Sequence, residues 1–153
     1  MQIAEILSPA AVRSLAQVAS KKRLFHEIAE LAAAAYGVDA AKALDSLQER
    51  ESLGTTGVGQ GVALPHAQLH GLEGVAGVFL RLEKPLDFDA VDRQPVDLVF
   101  ALLAPKSTGV DHLKALALVS RRLREPDLRE RLRANADPVA LHALLVTDQR
   151  RAA

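Results

Sequence analysis

Apolar residues recur every three or four positions at Leu24, Ile28, Leu31 and Ala35, the period of a helix that buries one face. Ser20 stands where an N-cap is needed and Gly37 where the chain must leave the helix, so the spacing predicts a helix between them. A second helix follows, with Asp39 as its cap and Ala40, Ala43, Leu44 and Leu47 on its buried side. Arg50-Glu51 closes it, which delivers Arg50 to the next loop. Residues 9–19 support two readings: Val12, Ala16 and Val18 suit a strand, while Pro9-Ala10-Ala11 could open a helix.

From Gly54 the pattern changes. A glycine-rich loop is followed by short apolar runs bounded by Gly, Pro and Asp: Val62-Ala63-Leu64, then Val75 to Leu82, then Val96 to Leu103. These read as central strands, with Leu86-Asp87-Phe88-Asp89 to Arg93-Gln94-Pro95 as a strand edge and polar turn before the last. After Pro105 and the segment from Lys106 through Thr108 to Asp111, helical spacing returns at His112, Leu113, Leu116, Leu118, Val119 and Leu123. Pro126 and Pro138 sit where a first helical turn accepts proline, so two short helices should finish the chain. Helices flanking a central run of strands imply an α/β layered fold, and no internal repeat or low-complexity segment interrupts it before the Arg151-Ala152-Ala153 tail.

Composition narrows what such a fold could do. The 153 residues suit one domain, and 49% apolar residues can fill its core. Nineteen Lys and Arg balance nineteen Asp and Glu, which removes the electrostatic footprint of a nucleic-acid binder or a basic membrane anchor. Aromatics at 3% leave few platforms for stacking bases or sugars. With no Cys there are no disulfides, thiolate nucleophiles or thiolate metal sites, which fits a reducing compartment. The N-terminus, Met1 to Leu7, has neither basic n-region nor long apolar h-region, and no apolar run approaches a spanning helix. A cytoplasmic location is the expectation.

Four of nine glycines, Gly54, Gly57, Gly59 and Gly61, fall within eight residues, interleaved with Thr55, Thr56, Val58 and Gln60. Convergent backbone N–H groups in such a loop could cradle a phosphate; a tight turn packing strand against helix would need the same glycines. No Gly-Lys-Ser/Thr follows, so this is no P-loop, and Val62 occupies the third glycine position of a dinucleotide fingerprint.

His66 follows the loop directly, behind Pro65, whose fixed φ restricts the backbone before the imidazole and presents the ring. A neutral ring nitrogen beside fixed dipoles is what a phosphoryl-accepting nucleophile needs, although a lone histidine is as readily structural. His112, in the first turn of its predicted helix, could donate a hydrogen bond to a phosphoryl group, or be a polar residue at a helix start. His66 and His70 are spaced i,i+4, but Ala67 replaces the Glu of H-E-x-x-H and Gly71 follows, which excludes that zinc motif. Asp87, Asp89 and Asp92 lack the glycine of a calcium loop and read as turn caps. No G-x-S-x-G elbow is present. His26 and His142, alone in their helices, are assigned structural or surface roles.

Together the segment from Gly54 to Pro65-His66, the preceding Arg50-Glu51, the run from Phe88 to Pro105 and His112-Leu113 resemble the enzyme IIA domain of the fructose/mannitol type in the bacterial phosphoenolpyruvate phosphotransferase system, most of all its free-standing nitrogen-regulatory form. The likeness spans about residues 3 to 147 of a single domain covering 1–153. It implies a three-layer α/β/α sandwich around a mixed sheet. It also implies that His66 accepts a phosphoryl group from a phosphohistidine on a small HPr-like carrier, with His112 assisting and Arg50 close by. No metal or nucleotide cofactor is implied, because the phosphohistidine donor already carries the transfer potential. Where the family often continues Gly-Lys after Pro-His, this chain has Ala67-Gln68. A chain spent wholly on one domain favours a regulatory role acting on target proteins over feeding a sugar permease; a binding module that moves no phosphate is the third possibility.

Overall fold

The N-terminal stretch adopts parts of both structures it could form. Ile3–Ile6 is a one-turn helix (α1), Pro9–Ala11 is a 3-10 turn capped by the Ser8 hydroxyl, and Val12–Leu15 is a strand (β1). In the computed structural model the described residues are 1–107 and 109–147; Thr108 and the Arg151-Ala152-Ala153 tail lie outside them.

The two amphipathic helices form as their spacing predicts. Lys21–Tyr36 (α2) is capped by Ser20, whose Oγ accepts the Arg23 N–H at 3.0 Å, and it ends on Gly37 at φ +72°. Ala40–Ser52 (α3) is capped by Asp39, which accepts the Lys42 N–H at 3.1 Å. Each cap satisfies an end group that would otherwise cost about 1 kcal/mol. Leu24, Ile28 and Leu31 of α2 and Ala43 and Leu47 of α3 are buried.

Five further strands follow: Gly57–Gly59 (β2), Val62–Ala63 (β3), His66–Leu69 (β4), Ala76–Leu86 (β5) and Val96–Pro105 (β6). The sheet runs β1-β5-β6-β3-β2, with β4 also on β6. It is mixed: β5 and β6 are antiparallel, β1 is parallel to β5, and β3 and β4 are parallel to β6. The residues of β6, apolar nearly throughout, form the middle of the core, as expected of a strand covered on both faces.

The last third is helical: Gly109–Leu123 (α4), Pro126–Arg133 (α5) and Pro138–Val146 (α6), the latter two with proline in the first turn. α2 and α3 pack together over β5 and β4, while α4, α5 and α6 pack with α1 over β6 and β1, so helices cover both sides of the sheet. This is the expected three-layer arrangement. No helix among the described residues is long and apolar enough to cross a membrane.

Candidate functional site

β3 and β4 are two halves of one strand. Val62 lies opposite Leu98, Ala63 opposite Val99, His66 opposite Leu102 and Leu69 opposite Pro105, a register that never slips. The ladder lapses only at Leu64-Pro65, where proline has no N–H to give. Pro65 still accepts the Leu102 N–H at 2.9 Å, so the strand stays on β6 while its other edge is free to do something else. On that edge the Leu64 N–H donates to the Thr56 carbonyl at 2.9 Å, and β2 reaches no further along it. The Leu64 carbonyl thus has no strand partner, and the His66 ring takes the place, with Nδ1 2.9 Å from the oxygen.

A carbonyl can only accept, so Nδ1 carries a proton, and in the neutral ring Nε2 is the nitrogen that keeps the lone pair. His66 is half-buried, presented at the sheet edge where both helical layers meet.

The glycine loop is a hairpin. β2 and β3 pair antiparallel through a turn in which Gln60 (φ +60°) and Gly61 (φ +76°) are left-handed. A Cβ on Gly57 would lie 2.7 Å from the Ala90 Cβ and 2.9 Å from its Cα, which leaves no room for a side chain, while the left-handed φ of Gly61 favours glycine and the Arg133 guanidinium lies against it. The Thr56 N–H donates to Glu51 Oε2 (2.9 Å), the Gly57 N–H to Thr55 Oγ1 (3.1 Å) and the Gln60 N–H to Asp92 Oδ2 (3.0 Å). Those backbone donors are therefore committed within the protein, and the tight-turn reading accounts for Gly57, Gly59 and Gly61. The Gln60 and Gln94 N–H groups hold the Asp92 carboxyl below its ordinary range. Gly54 follows α3, and its carbonyl accepts from Arg50 Nη1 at 3.0 Å.

Two shallow recesses, about 380 and 340 Å³, flank His66 and Arg50, which line both. The first also holds Leu53, Gln68, Lys106 and His112; the second holds Thr55, Thr56, Val58, Leu116 and Ser120. Folding therefore joins four of the expected groups, His66, His112, Arg50 and the threonine pair, whereas Gly54, Gly57, Gly59 and Gly61 line neither recess. Lys106, the residue after β6, brings a cation beside Ala67-Gln68 that the local sequence does not supply.

His112 stands in α4 with its ring centroid 5.5 Å from that of His66, the planes at 73°. It is 8% exposed, and its Nε2 has no hydrogen-bond partner among the described residues. Burial first, and the neighbouring His66 second, push its pKa below the ordinary 6.5, which keeps the ring neutral at pH 7. In the tautomer that carries its proton on Nε2, this neutral imidazole has a buried, unused donor for an arriving oxygen.

Glu51 escaped the sequence reading, which quoted it only as part of Arg50-Glu51. Its carboxylate is 7% exposed, accepts both Thr56 donors and pairs with Lys21 Nζ at 2.8 Å. An acidic residue in the last turn of a helix, where the dipole opposes it, was the one available signal. The remaining three histidines do not join the site: His142 Nε2 lies 3.0 Å from the Leu7 carbonyl, His70 is exposed, and His26 is half-buried in α2 and lines neither recess. No cluster among the described residues could hold a metal ion.

Known proteins share this architecture. The family model for "Phosphoenolpyruvate-dependent sugar phosphotransferase system, EIIA 2" matches residues 5–147. A nitrogen regulatory protein of Bradyrhizobium diazoefficiens is 46% identical over 145 residues, 95% of each chain. The crystal structure of nitrogen regulatory protein IIA-Ntr from Neisseria meningitidis superposes with a TM-score of 0.86 at 36% identity, over 94% of this chain and 98% of that one. The crystal structure of IIA mannitol from Escherichia coli shares the fold at TM-score 0.71 and 19% identity, over 84% and 91%. With the histidine edge strand, the hairpin before it and the match along nearly its whole length, the chain belongs to the EIIA 2 family of the phosphoenolpyruvate-dependent sugar phosphotransferase system.

Proposed function

We propose that the chain is a nitrogen-regulatory type enzyme IIA that accepts a phosphoryl group on His66 Nε2 from a phosphohistidine of an HPr-like carrier, and acts on regulatory target proteins through that modification. The observation that carries the chemistry is the Nδ1–H···O=C bond to Leu64 at 2.9 Å, which leaves Nε2 as the nucleophile. The Nε2 lone pair forms the new N–P bond as the carrier's N–P bond breaks, and that electron pair returns to the carrier's ring. No proton has to move. Positive charge developing on the His66 ring is stabilised by the Leu64 carbonyl, since a hydrogen bond to a charged donor is the stronger kind. His112 donates from Nε2 to a phosphoryl oxygen, and Arg50, with guanidinium N–H groups beyond the one on Gly54, adds charge. No metal or nucleotide takes part in this scheme.

Leu53 (81% exposed), Val58 (52%), Val110 (65%) and Leu113 (68%) lie on the elements around the recesses, an apolar rim on which a carrier can dock. With formal net charge zero there is little long-range steering, so moderate salt should change transfer little. The regulatory reading is supported by 46% identity to a nitrogen regulatory protein, with 95% coverage of both chains. The same fold serves IIA mannitol, so the target is tested together with the acceptor.

The experiment is incubation with phosphoenolpyruvate and the general phosphotransferase proteins, followed by intact mass. One acid-labile phosphoryl group, absent from His66→Ala, is expected; a folded His66→Ala that is still labelled would overturn the assignment. Rapid onward transfer to a permease's cytoplasmic domain would assign the sugar-uptake role in place of the regulatory one.

A further inference from the structure

A continuous run of hydrogen bonds leads from an ion pair with a buried carboxylate to the ring of His66. Lys21 Nζ, at the start of α2, sits 2.8 Å from Glu51 Oε2, donates to the Phe88 carbonyl at 3.1 Å and lies 4.3 Å from the Phe88 ring centroid. Glu51, in the last turn of α3, accepts the Thr56 N–H at 2.9 Å and the Thr56 hydroxyl at 2.5 Å. The Thr56 carbonyl accepts the Leu64 N–H at 2.9 Å, and the Leu64 carbonyl accepts His66 Nδ1–H at 2.9 Å. Thr55 Oγ1 ties the same stretch to the Phe88 carbonyl at 3.2 Å.

Two features of this run are unfavourable by themselves. A lysine in the first turn of a helix opposes the dipole, and so does a glutamate in the last turn; placed together they neutralise each other. A carboxylate 7% exposed is costly to desolvate unless its acceptor sites are filled, and here two threonine donors and an ammonium fill them. The committed threonine hydroxyls have a chemical consequence as well. Thr55 and Thr56 both give their O–H to protein acceptors, so neither is free to donate to a phosphoryl oxygen at the recess they line.

We infer that Glu51 is a positioning residue for His66: by fixing Thr56, and through it Leu64, it sets the ring's orientation and its Nδ1–H tautomer, and so selects Nε2 as the atom that attacks. The inference rests on His66 being the phosphoryl acceptor. What the run transmits is position, because successive bonds use different peptide groups of Thr56 and of Leu64 and share no common amide to polarise. Displacing the Leu64 carbonyl removes the one acceptor that distinguishes the two ring nitrogens.

The test reads the tautomer before any phosphate is present, by ¹⁵N NMR of the histidine rings at a pH where His66 is neutral. The wild type should show His66 as Nδ1–H alone. Glu51→Ala should make the Nε2–H form visible and slow phosphorylation on the order of ten- to a hundredfold, without altering the carrier concentration needed for half-saturation. Some phosphoryl group should then appear on Nδ1, distinguishable by ³¹P NMR. Glu51→Gln should recover most of both properties, since its amide oxygen can take the Oε2 place and its NH₂ can face Thr56 Oγ1. If Glu51→Ala does not fold, Thr56→Val against Thr56→Ser carries the same comparison, with a smaller shift for Val and none for Ser. A folded Glu51→Ala, or Thr56→Val in its place, with wild-type tautomer and rate overturns the proposal, as does Glu51→Gln behaving like Glu51→Ala. A wild type that shows the Nδ1–H tautomer but takes no phosphoryl group would refute the acceptor role and leave the tautomer control standing.

Discussion

The two walls of the His66 site are built on opposite principles. On the loop side, from Arg50 to His66, the Thr55 and Thr56 hydroxyls and the Thr56, Gly57, Gln60 and Leu64 N–H groups all have partners inside the protein. On the α4 side His112 is buried with Nε2 unpartnered among the described residues, and Val110 and Leu113 beside it are open to solvent. A wall whose polar groups are partnered resists movement and a buried nitrogen left unused is open to an arriving group, so under the proposed function the first holds the His66 ring while the second meets the phosphoryl group. Exposed apolar side chains for the carrier stand on both, Leu53 and Val58 on the first and Val110 and Leu113 on the second.

The sharpest way to break this comparison is to remove the nucleophile. His66→Ala should lose phosphorylation altogether while its melting temperature stays near wild type, because the ring is only half-buried. A large thermal loss in that variant would mean that the loop wall depends on the ring and not the reverse.

Removing the receiving donor should cost less. His112→Ala is expected to slow transfer on the order of 10²–10³-fold, the usual penalty for one preorganised donor, with label still arriving on His66. His112→Gln should recover part of the rate. Time courses of both variants check this, and label found on His112 in the wild type would exchange the two roles.

The loop wall should answer in stability before activity. Gly57→Ala forces a Cβ to 2.7 Å from the Ala90 Cβ and 2.9 Å from its Cα, backbone that cannot step aside, and should cost about 1–3 kcal/mol in denaturant unfolding. Gly74→Ala, which meets nothing within 4 Å, is the control.

The smallest expected effect is a pH dependence from His112. Its native pKa lies below the 6.5 of the free side chain, so as pH falls past 6.5 the unfolded chain takes up the proton first. Stability contributed above 6.5 is then lost progressively toward the lowered native value. Unfolding above and below pH 6.5 should show a smaller acid loss in His112→Gln than in wild type. An equal loss would mean that the α4 wall is not held neutral. Phosphorylation of His66 should raise the His112 pKa, since a negative group then stands beside the ring.

Much of this was legible in the chain. Ser20 and Gly37 bracket α2, Asp39 opens α3, and Pro126 and Pro138 start the last two helices, because caps and proline act through bonds only a few residues away. Pro65-His66 could be read as a presented ring for the same reason. The short strands β2 and β4 could not, since three or four residues carry too little alternation to show a period. Nor could the use of the glycines: whether backbone N–H groups face a ligand or the protein depends on Glu51 and Asp92, which reach them from other segments.

By itself, then, the sequence determined the main helices, the long central strands, a layered α/β fold and which histidine follows the glycine loop, all consequences of local bonding and periodic burial. Only the tertiary structure decided the chemistry of the ring. The tautomer of His66 depends on a Leu64 carbonyl left free where β2 ends and on Thr56 and Glu51 holding that carbonyl in place, while α4 brings the His112 ring to a centroid distance of 5.5 Å. Leu64 is only two residues from His66 and Glu51 five from Thr56, but hydrogen bonds act over about 3 Å, and only the packing of α3, β2 and β3 sets which of these neighbouring groups reach that distance.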